Sequence, residues 1–254
     1  MKHIQAKKSL GQNFLKSQKA LAAMVTAGEV VAGDVIVEIG PGKGALTKVL
    51  LATGAKVIAF EKDHRLIELL STTFAEYIEQ GLFELYEKDI LEVDMTEYVK
   101  GSYKLIANIP YYITGEITRT FLSHTHKPSI IVILVQKEVA DRIADPKETI
   151  LSLSVKVFGV PKKVMTVKKE YFSPSPKVDS AIIKISNIHN PFKNKEEELN
   201  FFTIIKKAFG QKRKKLNSTL KEYKDKIQKW ESIKDKRPED LNTQEWMQIG
   251  FDCK

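Results

Sequence analysis

A glycine-rich loop and two acidic residues form the first candidate binding site in this sequence. Gly40, Gly42 and Gly44 follow an apolar stretch, and Glu61 and Asp89 each stand at the end of a later one. Glycine lets a backbone turn sharply and come close to a ligand. A carboxylate at the end of a second strand can accept both hydroxyls of a ribose, and Asp89 is placed to meet the exocyclic amine of an adenine. Each feature alone is also typical of a tight turn or a solvated strand end, but together they predict a nucleoside site.

The spacing of the glycines favours a nucleoside ligand without phosphates. The loop has the pattern G-x-G-x-G, with Pro41 between the first two glycines, whereas a dinucleotide-binding loop has the pattern G-x-G-x-x-G. Packing against an uncharged nucleoside is therefore favoured over cradling a pyrophosphate. S-adenosylmethionine has this character, because it carries a sulfonium group in place of phosphates, and we expect it as the cofactor.

The segment Asn108-Ile109-Pro110-Tyr111 supplies groups that could activate an amine. The N6 amine of adenine is a poor nucleophile because its lone pair is delocalised into the ring. The Asn108 side-chain oxygen can accept from one N–H bond, and the Ile109 carbonyl from the other, since Pro110 biases Ile109 away from helix. Tyr111 offers a flat face for an extruded base. Such preorganised dipoles stabilise charge developing at nitrogen without a strong general base. Seen alone, the segment is equally a Pro-containing strand end with a core tyrosine.

These groups can act together only if the chain brings them to one place. Apolar strands alternate with helical patterns, which predicts a parallel sheet covered on both faces. Two later strands have no helix between them and are expected to pair as an antiparallel hairpin at the sheet edge. The fold class is therefore α/β, a Rossmann-like doubly wound and mostly parallel sheet whose carboxyl edge carries the site. The predicted strands span 34–40, 56–61, 82–89, 103–108, 129–136, 163–172 and 180–186.

The pattern changes in the polar segment 187–195, which we take as a domain boundary. Asn194, followed three residues later by Glu197, resembles a capping box at the start of a helix. No strand signal follows. We therefore expect a Rossmann-like methyltransferase domain over 1–186, with a basic N-terminal arm, and a small all-helical domain over 187–254.

Composition excludes several classes of protein. The chain has 254 residues and a single cysteine, Cys253, so a disulfide framework and a cysteine-based zinc site are excluded. The histidine spacing predicts no metal site. No apolar run approaches the roughly 20 residues of a membrane helix, and the basic N-terminus lacks the apolar region of a signal peptide. We therefore expect a cytoplasmic protein that does not act at a membrane.

Basic residues are concentrated in two places, and the net charge is +9. Clusters of this kind are typical of a solvated lysine-rich surface, but they also suit contact with a phosphate backbone. The candidate RNA-binding residues are Lys7 and Lys8 in the arm and Lys206, Lys207, Lys212, Arg213, Lys214 and Lys215 in the helical domain.

Four stretches together resemble the ribosomal RNA adenine N6,N6-dimethyltransferases: KKSLGQNFL, VEIGPGKGALT, ANIPYYIT and YFSPSPKVDSA. The resemblance extends from about Lys7 to Phe251. Within that family, KKSLGQNFL, PKVDSA, AFGQKRKKLNSTL and RPEDLNTQEW are similar to the KsgA-type housekeeping branch, which modifies the small ribosomal subunit. The segment GQKRKK departs from the family pattern, because lysines stand where more arginine is expected and lysine lacks bidentate phosphate contacts.

The resemblance also implies roles for residues outside the motifs argued above. Asn13 and Leu15 would line the cofactor site together with the glycine loop, Glu61, Asp89 and Asn108. Phe172 would be a second ring stacking on the target adenine, opposite Tyr111. Its segment FSPSP is stiff and extended, and could carry an aromatic side chain to the rim of a cleft. An ordinary hairpin connection with Phe172 in the core is the alternative.

The function implied by the resemblance is S-adenosylmethionine-dependent dimethylation of N6 on each of two adjacent adenines near the 3′ end of small-subunit ribosomal RNA. The substrate would be an immature small ribosomal subunit, so the enzyme would also act as an assembly checkpoint, and it is expected to be a monomer. One alternative is an Erm-type enzyme that modifies large-subunit RNA and confers macrolide resistance. Another is a non-catalytic factor of ribosome assembly or transcription on the same scaffold, although binding alone needs neither the Asn108–Tyr111 segment nor the acidic pair.

Overall fold

The structure is a computed structural model that describes residues 4–7, 10–211 and 213–253. Its strands are β1 (Phe14–Leu15), β2 (Val35–Ile39), β3 (Lys56–Glu61), β4 (Phe83–Glu87), β5 (Lys104–Ala107), β6 (Ile130–Gln136), β7 (Val160–Val167), β8 (Phe172–Ser173) and β9 (Ser180–Ser186). Its helices are α1 (Gln18–Ala27), α2 (Ala45–Leu51), α3 (His64–Thr73), α4 (Ala75–Glu79), α5 (Met95–Tyr98), α6 (Thr114–Ser123), α7 (Lys137–Ala144), α8 (Ile150–Lys156), α9 (Lys195–Phe209), α10 (Leu216–Thr219), α11 (Trp230–Ile233) and α12 (Thr243–Asp252). None of these helices is long and apolar enough to cross a bilayer.

Seven strands form one mixed sheet in the order β4-β3-β2-β5-β6-β9-β7. Strands β2 to β6 pair in parallel, whereas β9 runs antiparallel to β6 and β7. The predicted doubly wound, mostly parallel fold and its edge hairpin are therefore confirmed. The apolar residues 130–135 of β6 are all buried, as expected of a strand inside a sheet with both faces covered.

The strand predicted over 163–172 is shorter and ends differently. Strand β7 ends at Val167, and Lys169–Tyr171 form a 3₁₀ turn. The chain then enters β8, which pairs antiparallel with β1 rather than with the main sheet. This pairing joins the N-terminal arm, through β1, to the segment that follows β7.

Strand order places the predicted site at a reversal of the sheet. From β2 the chain extends the sheet through β3 and β4 in one direction, and then returns to add β5 and β6 on the other side of β2. Strands β2 and β5 are therefore neighbours, and the loops after Ile39 and Ala107 leave from adjacent carboxyl ends. In doubly wound sheets, ligands bind in the crevice at this switch point.

The described residues divide into two compact units, 1–140 with 160–188 and 141–159 with 189–254. The sequence-based division at 186/187 differs from these units in two respects, because it assigns 141–159 to the first domain and 187–188 to the second. In the second unit, the Phe158 ring packs on Phe192 and Phe202, and Thr243 donates a hydrogen bond to Glu148. These contacts group 141–159 with the C-terminal helices, and the domain boundary itself stays a prediction.

The helices of the second unit begin where the sequence indicates. The Asn194 side chain accepts a hydrogen bond from the Glu197 N–H at 2.9 Å and so caps α9. The Glu197 carboxylate accepts from the Lys193 N–H, one residue before the position that a regular capping box would use. The described secondary structure from 189 onwards is entirely helical, which confirms the predicted C-terminal helices.

Candidate active site

A cavity of about 620 Å³ lies at the carboxyl ends of the parallel strands, in the first unit. Its volume falls within the roughly 300–1,000 Å³ that is usual for small-molecule sites. Six of the residues expected to contact the cofactor precede Asn108 in the chain, and all six line the cavity: Asn13, Leu15, Gly40, Gly42, Glu61 and Asp89. The proposed catalytic segment Asn108, Ile109, Pro110 and Tyr111 lines it as well. The switch point therefore brings the two sequence motifs into one cavity.

The three glycines of the loop all have positive φ angles but meet different surroundings. A Cβ added to Gly40 would have no atom within 4 Å, so this glycine faces open space in the cavity. A Cβ on Gly42 would lie 3.0 Å from the ring of Phe14, and one on Gly44 would lie 2.5 Å from Phe74. Gly42 and Gly44 therefore permit close packing, whereas Gly40 leaves backbone accessible to a ligand.

Glu61 is held in place by backbone donors. Its side chain is buried at the end of β3 and accepts hydrogen bonds from the Asp63 N–H at 2.8 Å and the Gly42 N–H at 3.2 Å. Burial raises the pKa of Glu61, an effect that these N–H groups only partly offset. An ionised carboxylate has about four acceptor positions. These two bonds leave part of that capacity unused, and Glu61 lines the cavity.

Asp89 already has two partners. One carboxylate oxygen accepts from the Leu91 N–H at 3.1 Å and the other from the ammonium of Lys62. Burial opposes ionisation, but the hydrogen bonds from Lys62 and Leu91 prevail and lower the pKa of Asp89. Lys62 also lines the cavity, so a ligand amine would share this carboxylate with it. No role for Lys62 was predicted from sequence.

A second buried carboxyl, Glu38, lines the cavity and was missed from sequence. It is 1% exposed and accepts a hydrogen bond from the Thr47 hydroxyl at 2.7 Å. Burial raises its pKa to about 8, with Glu61 adding to the effect and Thr47 opposing it. The available signal was a lone acidic residue inside the otherwise apolar strand VIVEI.

Asn108 connects the cavity wall to the N-terminal arm. Its side-chain N–H donates to the backbone carbonyl of Asn13 at 3.1 Å. Within the part of the chain that the structure describes, neither the Asn108 side-chain oxygen nor the Ile109 carbonyl receives a hydrogen bond. Both acceptors that the sequence analysis assigned to the target amine are thus available on one side of the cavity.

Two tyrosines follow Pro110, and they differ in exposure. The Tyr111 hydroxyl hydrogen-bonds the Ser180 hydroxyl at 2.6 Å, which fixes its half-buried ring. Tyr112 also lines the cavity, is 66% exposed, and lies against Gly11 of the arm, where an added Cβ would come within 3.1 Å of its ring. Tyr111 therefore presents a rigid face. Tyr112 is a second aromatic residue of the cavity wall, and it was not predicted from sequence.

Phe172 is the predicted site residue that the structure does not bring to the cavity. Its side chain is 3% exposed and belongs to the hydrophobic core. The reason is the pairing of β8 with β1, in which Phe172 lies opposite Leu15 and its side chain packs into the core while the neighbouring Ser173 lines the cavity. The alternative of a core phenylalanine matches this placement, and stacking on the target base stays a prediction.

The predicted RNA-binding residues are mostly exposed. Lys7, Lys206, Arg213 and Lys214 are exposed, while Lys207 pairs with Glu222 and Lys215 pairs with Asp235. Lys8 and Lys212 lie outside the described residues. In the described chain, no group of three histidine, cysteine or carboxylate side chains is arranged to hold a metal ion.

Comparisons with known proteins agree on one family. A family model described as ribosomal RNA adenine dimethylase matches residues 3–249. Ribosomal RNA small subunit methyltransferase A of Dehalococcoides mccartyi (strain CBDB1) is 40% identical over 221 residues, covering 85% of this chain and 75% of that protein. The crystal structure of a dimethyladenosine transferase from Plasmodium falciparum is similar with a TM-score of 0.76 and 26% identity, covering 93% of this chain and 95% of that one. The 23S rRNA methyltransferase ErmE has a TM-score of 0.77 at 20% identity, covering 95% and 99%, which shows a shared fold alone.

Proposed function

The chain belongs to the ribosomal RNA adenine dimethylase family, and from this premise we propose that it dimethylates N6 of adenines in small-subunit ribosomal RNA with S-adenosylmethionine as methyl donor. The target is a pair of adjacent adenines near the 3′ end of that RNA, presented by an immature small subunit. One observation carries the proposal. The side-chain oxygen of Asn108 and the Ile109 carbonyl, with no described donor, lie in the same cavity as Gly40 and Glu61.

The residues of the cavity fit the cofactor. Gly40 leaves its backbone open to a ligand, because an added Cβ would meet no atom within 4 Å. Glu61 lines the cavity and, beside its bonds to Asp63 and Gly42, has unused acceptor capacity to offer a ribose. Asp89 is an acceptor for an exocyclic amine. The loop holds no phosphate-binding spacing, which suits a nucleoside that carries a sulfonium.

The chain's own groups would prepare the target amine for transfer. When bound, the cofactor supplies an electrophilic methyl group. The oxygen of Asn108 and the carbonyl of Ile109 accept the two N–H bonds of the adenine amine out of the ring plane, so that its lone pair is localised and directed. Tyr111, fixed by Ser180, holds the extruded base by stacking. These fixed dipoles stabilise the positive charge developing at nitrogen, and the proton then leaves to water.

Recognition of RNA is divided between the basic residues and the cavity. Phosphate contacts position a protein on its RNA, and contacts to an unstacked base specify it. Lys7 and the described basic residues Lys206, Lys207, Arg213, Lys214 and Lys215 suit the first role by their exposure. We propose that the chain acts as a monomer and that it works in the cytoplasm, where its RNA substrate is assembled.

The small-subunit substrate is favoured over large-subunit RNA. The 40%-identical relative is a small-subunit methyltransferase by name, while the likeness to ErmE concerns the fold alone. A non-catalytic factor is disfavoured, because such a protein would have no use for acceptors without a described donor in the cavity wall.

Transfer of labelled methyl groups tests the proposal directly. The protein is incubated with labelled S-adenosylmethionine and either immature small subunits or protein-free large-subunit RNA. We expect label on N6 of the two adjacent adenines of the small-subunit RNA, and no label when those adenines are replaced by guanines. Label on large-subunit RNA alone would establish the Erm-type alternative. Cofactor binding without transfer to either RNA would establish the non-catalytic one.

A further inference from the structure

Asp63 lies just behind the cavity and contacts both the cofactor-binding strand and the N-terminal arm. It is 2% exposed. Its backbone N–H donates to Glu61 at 2.8 Å, and its carboxylate accepts from the side-chain amide of Gln12 at 2.8 Å. Gln12 and Glu61 line the cavity, whereas Asp63 is not among the described residues of its wall. One residue thus joins two walls of the site without facing the ligand.

The carboxylate of Asp63 is itself fixed by charge. Arg65 donates to its two oxygens from Nε at 2.9 Å and from Nη2 at 2.6 Å. These bonds, with a further contribution from Gln12, lower the pKa of Asp63 to about 2 despite its burial. Asp63 therefore stays ionised and presents a strong acceptor to the arm.

Gln12 passes this contact on to the arm. Its amide nitrogen donates to Asp63, and its amide oxygen accepts from the Lys7 N–H at 2.8 Å. Both polar atoms of the Gln12 side chain are thus used, so its nitrogen must face Asp63 and its oxygen must face the Lys7 N–H. Replacing the acceptor on Asp63 by a donor would leave Gln12 unable to satisfy both partners.

The same arm closes the cavity at three further points. Strand β1 pairs with β8, the Asn13 carbonyl accepts from Asn108, and the Phe14 ring lies against Gly42. Seating of the arm therefore completes the cavity wall beside the glycine loop. Any loss of the seated population lowers the apparent affinity for a cavity ligand by the same factor.

We propose that Asp63 is a positioning residue that couples the seating of the arm, described over residues 4–7 and 10–16, to the orientation of Glu61. The arm and the Glu61 carboxylate would then bind the cofactor as one unit. The inference rests on the proposed function, in which Glu61 receives the ribose of S-adenosylmethionine. It predicts that cofactor binding and arm closure support each other reciprocally.

A polarity swap between Gln12 and Asp63 tests this contact against the bond from Arg65 Nη2, which reaches the same oxygen of Asp63. In Asp63→Asn an N–H donor faces the N–H donor of Gln12, and in Gln12→Glu two carboxylates face each other. In the double variant the new carboxylate at 12 accepts from the new amide at 63 and from the Lys7 N–H, with volume and net charge unchanged. Each single variant should bind S-adenosylhomocysteine on the order of tenfold more weakly, as expected for one lost charged hydrogen bond. The double variant should bind S-adenosylhomocysteine more tightly than either single variant, and the part of the loss that is not recovered is assigned to the bond from Arg65, which the double variant still lacks.

Two measurements are made on each variant: affinity for S-adenosylhomocysteine by calorimetry, and amide exchange of residues 4–16 with and without it. In the wild type the ligand should slow exchange of the arm, and in the single variants this slowing should be largely lost. Asp94→Asn is the control, because Asp94 caps α5 as Asp63 caps α3 but makes no described contact with the arm. If Asp63→Asn does not fold, Gln12→Ala removes the contact from the arm side and should give the same loss.

The outcomes separate this inference from the proposed function. Single variants that bind within twofold of wild type, with unchanged ligand-dependent exchange in the arm, would overturn the coupling while leaving the enzyme's function intact. A double variant no better than the single variants would assign their loss to altered packing and would also overturn it. A wild-type chain that binds neither S-adenosylmethionine nor S-adenosylhomocysteine would reject the proposed function, and the coupling with it.

Discussion

At the scale of single residues, Asn108 has two functions that its side chain divides between its two polar atoms. The amide nitrogen holds the carbonyl of Asn13, while the oxygen has no described partner and stays available to the target amine. Since the amide is planar, the bond to the arm also fixes the direction of the oxygen. A free acceptor held in this way loses little entropy when the substrate arrives.

The first prediction concerns turnover in Asn108→Ala. Loss of one preorganised electrostatic group should reduce turnover on the order of 10²–10³-fold. RNA affinity should barely change, because phosphate contacts and stacking on Tyr111 remain. Both methyl transfers should slow, since the same amine is presented twice. Turnover is measured at saturating S-adenosylmethionine, so that the lost contact with Asn13 does not enter. Dimethylation within a few-fold of wild type would contradict the assigned role.

The second prediction concerns Glu38 and the pH dependence of stability. Burial raises the pKa of Glu38 from 4.5 to about 8, so the folded chain keeps a proton that the unfolded chain releases between these values. Stability should therefore fall as pH rises through that window, by at most about 1.4 kcal/mol per pH unit. In Glu38→Gln this contribution should be absent.

Denaturant unfolding of both proteins at several pH values between 4.5 and 8 measures this effect. The difference in unfolding free energy between Glu38→Gln and wild type should grow in favour of the variant as pH rises, because other titrating groups cancel. A difference that does not vary with pH would show that Glu38 is ionised in the folded protein.

The residues that face the ligand were easier to predict from sequence than the residues that fix their positions. Glu61, Asp89 and Asn108 stand at strand ends, and parallel strands bring their ends to one edge whatever the details of packing. The bond from Gln12 to Asp63 joins residues 51 positions apart, and local sequence carries no signal for such a pair. The family resemblance implied a stacking role for Phe172, but β8 pairs with β1 and the Phe172 side chain lies in the core.

At the scale of elements, the glycine loop has one position that depends on the ligand and two that depend on packing. Gly42 and Gly44 lie against aromatic rings, whereas Gly40 faces the cavity. The sequence pattern predicted the loop but not this division, because it depends on where Phe14 and Phe74 pack. Substitution of Gly40 should therefore cause both backbone strain and loss of ligand space, and comparison with a positive-φ glycine away from the cavity separates the two effects.

The third prediction compares Gly40→Ala with Gly81→Ala. Both glycines have positive φ, 61° and 71°, and an added Cβ meets no atom within 4 Å at either. Each substitution should cost about 1–2 kcal/mol of stability from left-handed backbone strain. Only Gly40→Ala should weaken cofactor binding, because its methyl group enters the cavity. Thermal unfolding and calorimetry with S-adenosylhomocysteine measure the two effects. Equal affinity in both variants would mean that no ligand approaches Gly40.

At the scale of the whole molecule, periodicity predicted the parallel sheet, its edge hairpin and the C-terminal helices, because each has a local hydrophobic pattern. The grouping of 141–159 with the second unit was not predictable in that way. It depends on side-chain contacts such as Phe158 with Phe192, between segments separated by strands of the first unit. The predicted boundary therefore rested only on the polar composition of the segment 187–195.

The basic residues of the second unit differ in how their charge is used. Lys207 and Lys215 are paired with acidic residues. We define the unpaired cluster as Lys206, Arg213 and Lys214, which are exposed and have no described ion pair. Charges without an internal partner are the ones available to RNA phosphates, because no existing bond has to break.

The last prediction is that neutralising the unpaired cluster to glutamine weakens RNA binding through lost phosphate contacts. Each contact with a single strand contributes about 0.7 to the slope of log affinity against log salt, so the slope should fall by about 2. Affinity for S-adenosylmethionine should not change, since no member of the cluster lines the cavity. The control carries the same loss of charge at Lys207, Lys215 and Lys234, which lie in the same unit and pair with Glu222, Asp235 and Glu231. Binding to small-subunit RNA is measured for both variants across a salt series. Equal slopes in the two variants would show that net charge alone, rather than the unpaired cluster, attracts the RNA.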